Sequence, residues 1–222
     1  MAGVNYDTAI KSIEAQSQTG QGYQNMCRAR GRILPDKANL YHQGDEAEVF
    51  FRVNSGVVMV YRLLESSQRQ ISGFYTKGDF FGLSSNGIHQ DSAVTVTTSN
   101  IAALSMSDVR ENIDLQRDLF AMTCSQLEEA QTLITTLTKK TASEKVASFL
   151  LMLADRQKRD GESFDIRLPM SRLDIADYLG LTIETVSRRL TSLKSQGIIS
   201  LPNRDTATVC KYGQLQSLAG VQ

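Results

Sequence analysis

The chain has 222 residues, 41% hydrophobic and 22% charged, a globular composition that excludes a disordered chain as a whole. Its 24 basic and 24 acidic side chains cancel. That excludes a protein that coats nucleic acid through bulk charge and leaves any such contact to a local basic face.

Residues 1–28 are polar, rich in Gln, Ser and Thr, and predict an N-terminal arm with a short helix over 4–13. Residues 29–107 predict an all-β domain. Val49–Val53, Val57–Leu63, Gln70–Tyr75, Ala93–Thr97 and Ile101–Leu104 are short β-rich runs, parted by turn signals such as Asn54-Ser55-Gly56 and Lys77-Gly78-Asp79. That spacing fits a sandwich or barrel.

From 108 to 140 the period becomes helical. Phe120, Leu127 and Ile134 stand seven apart, interleaved with Thr123, Ala130 and Leu137, an a/d-like seam over about three heptads. Leu115, Leu119, Met122 and Leu133 form a second apolar flank suited to packing on the chain's own barrel. Two apolar faces on one helix predict a homodimer joined along Phe120, Leu127, Ala130, Ile134 and Leu137.

A further helix is expected over 143–158 with Ser143 as its N-cap, then a turn at Arg159-Asp160-Gly161-Glu162. Ile198–Leu201 and Ala207–Cys210 read as a hairpin, and the last ten residues as a frayed tail. Cys27, Cys124 and Cys210 lack Cys-x-x-Cys spacing, so no disulfide framework or cysteine metal site is signalled. Cys124 reads as buried helix packing, and Cys210 as a possible redox site near the DNA. His42 and His89, the only histidines, read as solvated turn residues. No apolar run reaches about 18 residues and no signal segment is visible, so a cytoplasmic protein without a membrane partner is expected.

The informative segment is Leu168 to Lys194. Ser171 followed by Asp174 resembles a capping box, and Ile175, Ala176 and Leu179 form the apolar face of a first short helix. Gly180 supplies the positive φ of a tight turn. Thr182 caps a second helix whose buried stripe is Val186, Leu190 and Leu193. Glu184, Ser187 and Arg188, at i, i+3 and i+4, then project together. A recognition helix reads bases with its N-terminal residues. Arginine grips guanine O6 and N7, glutamate accepts from cytosine N4, and serine is a permissive contact. Arg172, Thr182, Thr185, Arg189 and Lys194 are expected on the phosphate backbone, with Arg204 at the hairpin tip as a wing contact. No serine–histidine–aspartate set, phosphate loop or paired-carboxylate motif points to an enzyme.

At these residues the sequence resembles the Crp/Fnr superfamily, and Asp174-Ile-Ala-Asp-Tyr-Leu-Gly-Leu-Thr-Ile-Glu-Thr-Val-Ser-Arg188 is similar to its FixK-like branch. The resemblance implies an α+β fold: an N-terminal cyclic-nucleotide-binding-like β-barrel (29–107), a long dimerisation helix (108–140) and a C-terminal winged helix-turn-helix (141–222). It implies a transcription regulator, an activator that contacts RNA polymerase, on double-stranded DNA resembling TTGAT-N4-ATCAA. Cyclic-AMP-binding members carry Gly-Glu-Leu and Arg-Ser stretches. Gly82-Leu83-Ser84 and Asp91-Ser92 stand there in this chain, so a carboxylate would meet the phosphate. Iron–sulfur members carry an N-terminal cysteine cluster and one barrel cysteine, where this chain has Cys27 alone and Ala102. One thiolate cannot hold a cluster that needs about four ligands. The redox cysteine of some FixK-type relatives aligns with Ser171. Ala130, at the seam position where Fnr-like proteins can carry a charge, implies a dimer that needs no cofactor. The alternative is a regulator of the same fold gated by haem, nitric oxide, redox state or another effector.

Overall fold

The computed structural model describes residues 31–66, 68–157 and 163–220. The predicted arm with Cys27, and the turn at Arg159–Glu162, lie outside the described residues. The chain forms two compact units that meet between Leu127 and Glu128.

The first unit is a pair of antiparallel sheets. Its strands are β1 (Arg32–Leu34), β2 (Asn39–Tyr41), β3 (Val49–Ser55), β4 (Val58–Leu63), β5 (Arg69–Tyr75), β6 (Phe80–Phe81), β7 (Ser92–Thr95) and β8 (Ser99–Ser105). One sheet runs β1-β8-β3-β6 and the other β2-β7-β4-β5. The five predicted runs are β3, β4, β5, β7 and β8, while β1, β2 and β6 are too short to show a period. Val53, Val58, Val60, Ile101 and Ala93 meet between the sheets, and the hydrophobic term that drives this is burial of their apolar surface.

Where one helix is expected over 108–140, there are two. Ser105 and Asp108 close a capping box on α1 (Met106–Glu111). Asn112 then breaks the run, its Oδ1 accepting from the Asp114 and Leu115 amides at 3.0 Å each, and so starts α2 (Ile113–Lys139). Asparagine favours such caps over helix interiors. Leu115, Leu119 and Met122 pack on Phe50, Phe80 and Leu104 of the sheets, as the flank reading expects, and Gln126 Nε2 donates to Phe80 O at 2.6 Å.

His42 is exposed, but His89 is not in solvent: it is 2% exposed, its imidazole stacked on Tyr41 at 3.7 Å and 12°. The reading of His89 as a solvated turn residue is corrected here. Its main chain pairs with Asp45 and Gly44 at 2.9 Å each, which draws the ring inward onto the aromatic stack. Nε2 has no hydrogen-bond partner. Burial holds the imidazole below the ordinary histidine range, with Asp45 opposing in part. The folded state therefore binds fewer protons than the unfolded chain just below the ordinary value of about 6.5, and stability falls as pH drops through that window. In urea titrations, the midpoint is expected to fall between pH 7.5 and 5.5, and less so in His89→Phe, which keeps the stack. An identical fall in both proteins contradicts this assignment.

The second unit carries α3 (Ala142–Arg156), β9 (Phe164–Arg167), α4 (Arg172–Leu179), α5 (Ile183–Ser195), β10 (Ile199–Asn203), β11 (Thr206–Val209) and α6 (Tyr212–Leu218). The cap of α3 is Thr141 rather than the expected Ser143, because Glu144 stands three residues on and returns the bond, whereas Ser143 has Val146 there. The expected hairpin gains a third strand, in the order β10-β11-β9. The tail expected to fray is folded instead: α6 is anchored by Leu215 and Ala219, both fully buried.

Candidate nucleic-acid interface

Ser171 accepts from the Asp174 amide at 3.1 Å, and Asp174 Oδ2 accepts from the Ser171 amide at 2.9 Å. This capping box starts α4 and leaves Ile175, Ala176 and Leu179 buried. Gly180 ends it at φ +59° and ψ +45°. A Cβ there would lie 3.9 Å from Leu137 Cδ2, so space allows one and only the backbone resists. Gly180→Ala is expected to cost about 1–2 kcal/mol for the left-handed conformation, read as a lower urea midpoint with the native fold retained.

Thr182 caps α5, accepting from the Thr185 amide at 3.2 Å. Val186, Leu190 and Leu193 are buried, which turns Glu184, Ser187 and Arg188 into solvent together. Arg188 Nη2 reaches Thr185 Oγ1 at 3.4 Å. The Glu184 carboxyl is held below its ordinary range by its own amide and the Thr182 hydroxyl, with a smaller pull from Arg188. It thus stays ionised and presents an acceptor at the start of the helix. Ile183, 40% exposed, adjoins them as an apolar surface.

Arg189 and Lys194 are exposed and Thr185 is half-buried. Arg172 is not a freely solvated side chain: its Nη1 is buried and has no hydrogen-bond partner. Burial lowers its affinity for a proton, Arg204 adds to that, and Asp205 opposes it. The hairpin tip therefore stands close enough to act on the start of α4, and the Leu168 amide donates to Asp205 O at 2.8 Å. Sequence reasoning missed this pairing of Arg172 with the β10–β11 turn, which depends on a tertiary approach.

Along α2, Phe120, Leu127 and Ile134 are 72%, 60% and 62% exposed. Ile113, also exposed, extends the row by one heptad, a spacing that the sequence itself contains. Ala130 is exposed and Leu137 half-buried. Cys124, expected to be buried, is exposed, because it lies beside the seam row and away from the face that packs on the sheets. Cys210 is half-buried, its thiol 3.7 Å from Thr208 O.

In the first unit, Gly82 has φ +77°, and a Cβ there would come within 3.1 Å of both Tyr41 and Phe51. Asp91 accepts from the Tyr41 hydroxyl at 3.4 Å. Burial raises its carboxyl, with Arg62 and Tyr41 opposing. Among the described residues no three His, Cys, Asp or Glu side chains form a metal site. No described helix is long and apolar enough to cross a membrane.

Residues 144–218 match the family model of the Crp-like helix-turn-helix domain, and residues 32–114 that of the cyclic nucleotide-binding domain. The chain is 37% identical to the nitrogen fixation regulation protein FixK of Rhizobium meliloti, over 81% of this chain and 82% of the relative. It belongs to the Crp/Fnr family of transcription regulators. The chain is also 31% identical to the transcriptional activator protein FnrA of Stutzerimonas stutzeri, over 86% of this chain and 81% of that one. The solved structure of FixK2 from Bradyrhizobium japonicum matches with a TM-score of 0.76 at 34% identity, over 84% of this chain and 95% of that one. The protein is thus a FixK-like DNA-binding regulator and not an enzyme, with the α+β architecture of a cyclic-nucleotide-binding-like β domain, a long helix and a C-terminal helix-turn-helix.

Proposed function

We propose that this Crp/Fnr regulator works as a homodimer that reads a TTGAT-N4-ATCAA-like palindrome, activates transcription by contacting RNA polymerase, and needs neither cyclic AMP nor an iron–sulfur cluster. The observation that carries the reading is the exposed trio Glu184, Ser187 and Arg188 at the start of α5. Arg188 takes guanine, Glu184 accepts from cytosine, and Ser187 lies against a neighbouring base. Arg172, Thr182, Thr185, Arg189 and Lys194 grip phosphates and set the register. Thr182 and Thr185 do so while capping the helix, and Arg204 adds the wing.

The parts are an arm at 1–28, a sensor-like barrel at 29–107, a dimerisation helix at 108–140 and a winged helix-turn-helix at 141–222. The dimer closes along Phe120, Leu127, Ala130, Ile134 and Leu137, since an exposed apolar heptad row is covered best by its own copy. The activator role draws support from the name of the FnrA relative.

The barrel residues do not fit a cyclic nucleotide. A half-buried Asp91 carboxyl stands where phosphate would need a cation, and the wall at Gly82 is closed by Tyr41 and Phe51. Cys210 is a secondary candidate for redox control. In vitro selection of DNA by the effector-free protein tests the proposal. Enrichment of the palindrome supports it, and selection that succeeds only with an added effector, or of unrelated sites, overturns it.

A further inference from the structure

The joint between α2 and α3 is two residues long, Lys140-Thr141. Lys140 Nζ donates to Ser148 Oγ at 2.7 Å and to the Ala219 carbonyl at 2.8 Å. Ser148 lies on α3 and Ala219 is the C-cap of α6. One side chain at the end of the central helix therefore grips two helices of the DNA-binding module. A cation is favoured at helix C-terminal carbonyls, and charge-assisted hydrogen bonds are the stronger kind.

Two other contacts hold the same helix end, all within the unit that starts at Glu128. Arg156, the last residue of α3, pairs with Glu129 of α2, about three turns before Lys140. Leu137 lies against Gly180, at the turn of the helix-turn-helix. A single anchor would leave a swivel at the joint. Three anchors spread over residues 129–140 oppose both swing and twist of the module on the helix that carries Ala130 and Ile134.

We propose that Lys140 is a positioning residue that fixes α5 relative to the dimer helix and thereby sets the half-site spacing the protein accepts. This rests on the palindrome reading above. The two recognition helices of a dimer must meet major grooves about 34–36 Å apart. One extra base pair moves a half-site by about 3.4 Å and turns it by roughly 35°. A stiff joint rejects that displacement and a loose one follows it. The C-terminal helix α6 becomes part of the reading apparatus, because its last carbonyl is one of the two seats of the clamp.

The test uses the full-length protein without effector and duplexes with N3, N4 and N5 spacers. Wild type is compared with Lys140→Met, which keeps the stem and removes the charge, and with Ser148→Ala, a milder change that remains informative if Lys140→Met folds poorly. Dimer mass is read by sedimentation. Wild type is expected to prefer N4 by at least tenfold. Lys140→Met should remain dimeric, bind N4 several-fold more weakly, and show an N5-to-N4 ratio of dissociation constants at least fivefold smaller. Ser148→Ala should shift the same ratio in the same direction by less. Weakening on all three spacers by a common factor, or unchanged ratios in both variants, overturns the inference. Wild type that prefers the palindrome over scrambled DNA yet treats the three spacers alike overturns the role of Lys140 alone. Wild type that does not distinguish palindrome from scrambled DNA overturns the palindrome reading, and this inference with it.

Discussion

Arg188→Ala is expected to remove most of the preference for the guanine of each half-site while leaving the fold intact. Arg188 is exposed, and its one described hydrogen bond, to Thr185, is 3.4 Å long. Truncating such a surface side chain changes stability by no more than about 0.5 kcal/mol. A bidentate arginine–guanine contact is worth about 1–3 kcal/mol of discrimination. Both half-sites lose it, so operator affinity should fall by at least about tenfold, with most of the loss in base preference. Arg189→Ala, at a phosphate-facing position, is the contrasting case: it should weaken all sequences alike and reduce the salt slope by about one. Titration of duplexes with each base at the guanine position reads the difference. An Arg188→Ala protein with unchanged base preference contradicts the proposed role.

Leu127→Asp is expected to dissociate the dimer. Leu127 is 60% exposed in the single chain, so the substitution leaves the folded protomer largely untouched. In a seam it faces its own copy, and each partner loses about 1.5–3 kcal/mol of leucine burial. Two carboxylates are also brought together away from water, which is unfavourable without a partner cation. The dimer dissociation constant should rise by roughly 10²–10⁴-fold from the lost burial alone, and operator affinity should fall with it. Sedimentation of wild type and variant at micromolar concentration checks this. A wild type that is already monomeric, or a variant that remains dimeric, contradicts the seam.

Elements with a long period were legible in the sequence. The heptad row of α2 and the three-and-four stripe of α5 each repeat often enough to identify a helix and its faces, and Glu184, Ser187 and Arg188 emerge together on the exposed side of α5. Features that depend on tertiary approach were not legible. The seven residues of α6 include Gly213 and carry little helical signal, and burial of Leu215 and Ala219 holds them. His89 lies in a turn-rich stretch, and only the closed fold brings Tyr41 to its face. Arg172 reads as a surface cation until the β10–β11 turn comes up beside it. Two local signals were present and outweighed. Asn112 before Asp114 is a cap that splits the expected helix, and Thr141 with Glu144 is a better capping box than anything Ser143 can form. Strand β9 alternates Phe-Asp-Ile-Arg, a pattern too short to stand out before pairing with β11 defines it.

The most direct test of the account is the ratio of affinities of the effector-free protein for a TTGAT-N4-ATCAA duplex and for a scrambled duplex of the same composition, at one salt concentration. Specific readers of this kind prefer their site by about 10³-fold or more. The account predicts a ratio in that range for the wild-type dimer with nothing added. Equal binding to the two duplexes, or a preference that emerges only when an effector is supplied, contradicts it.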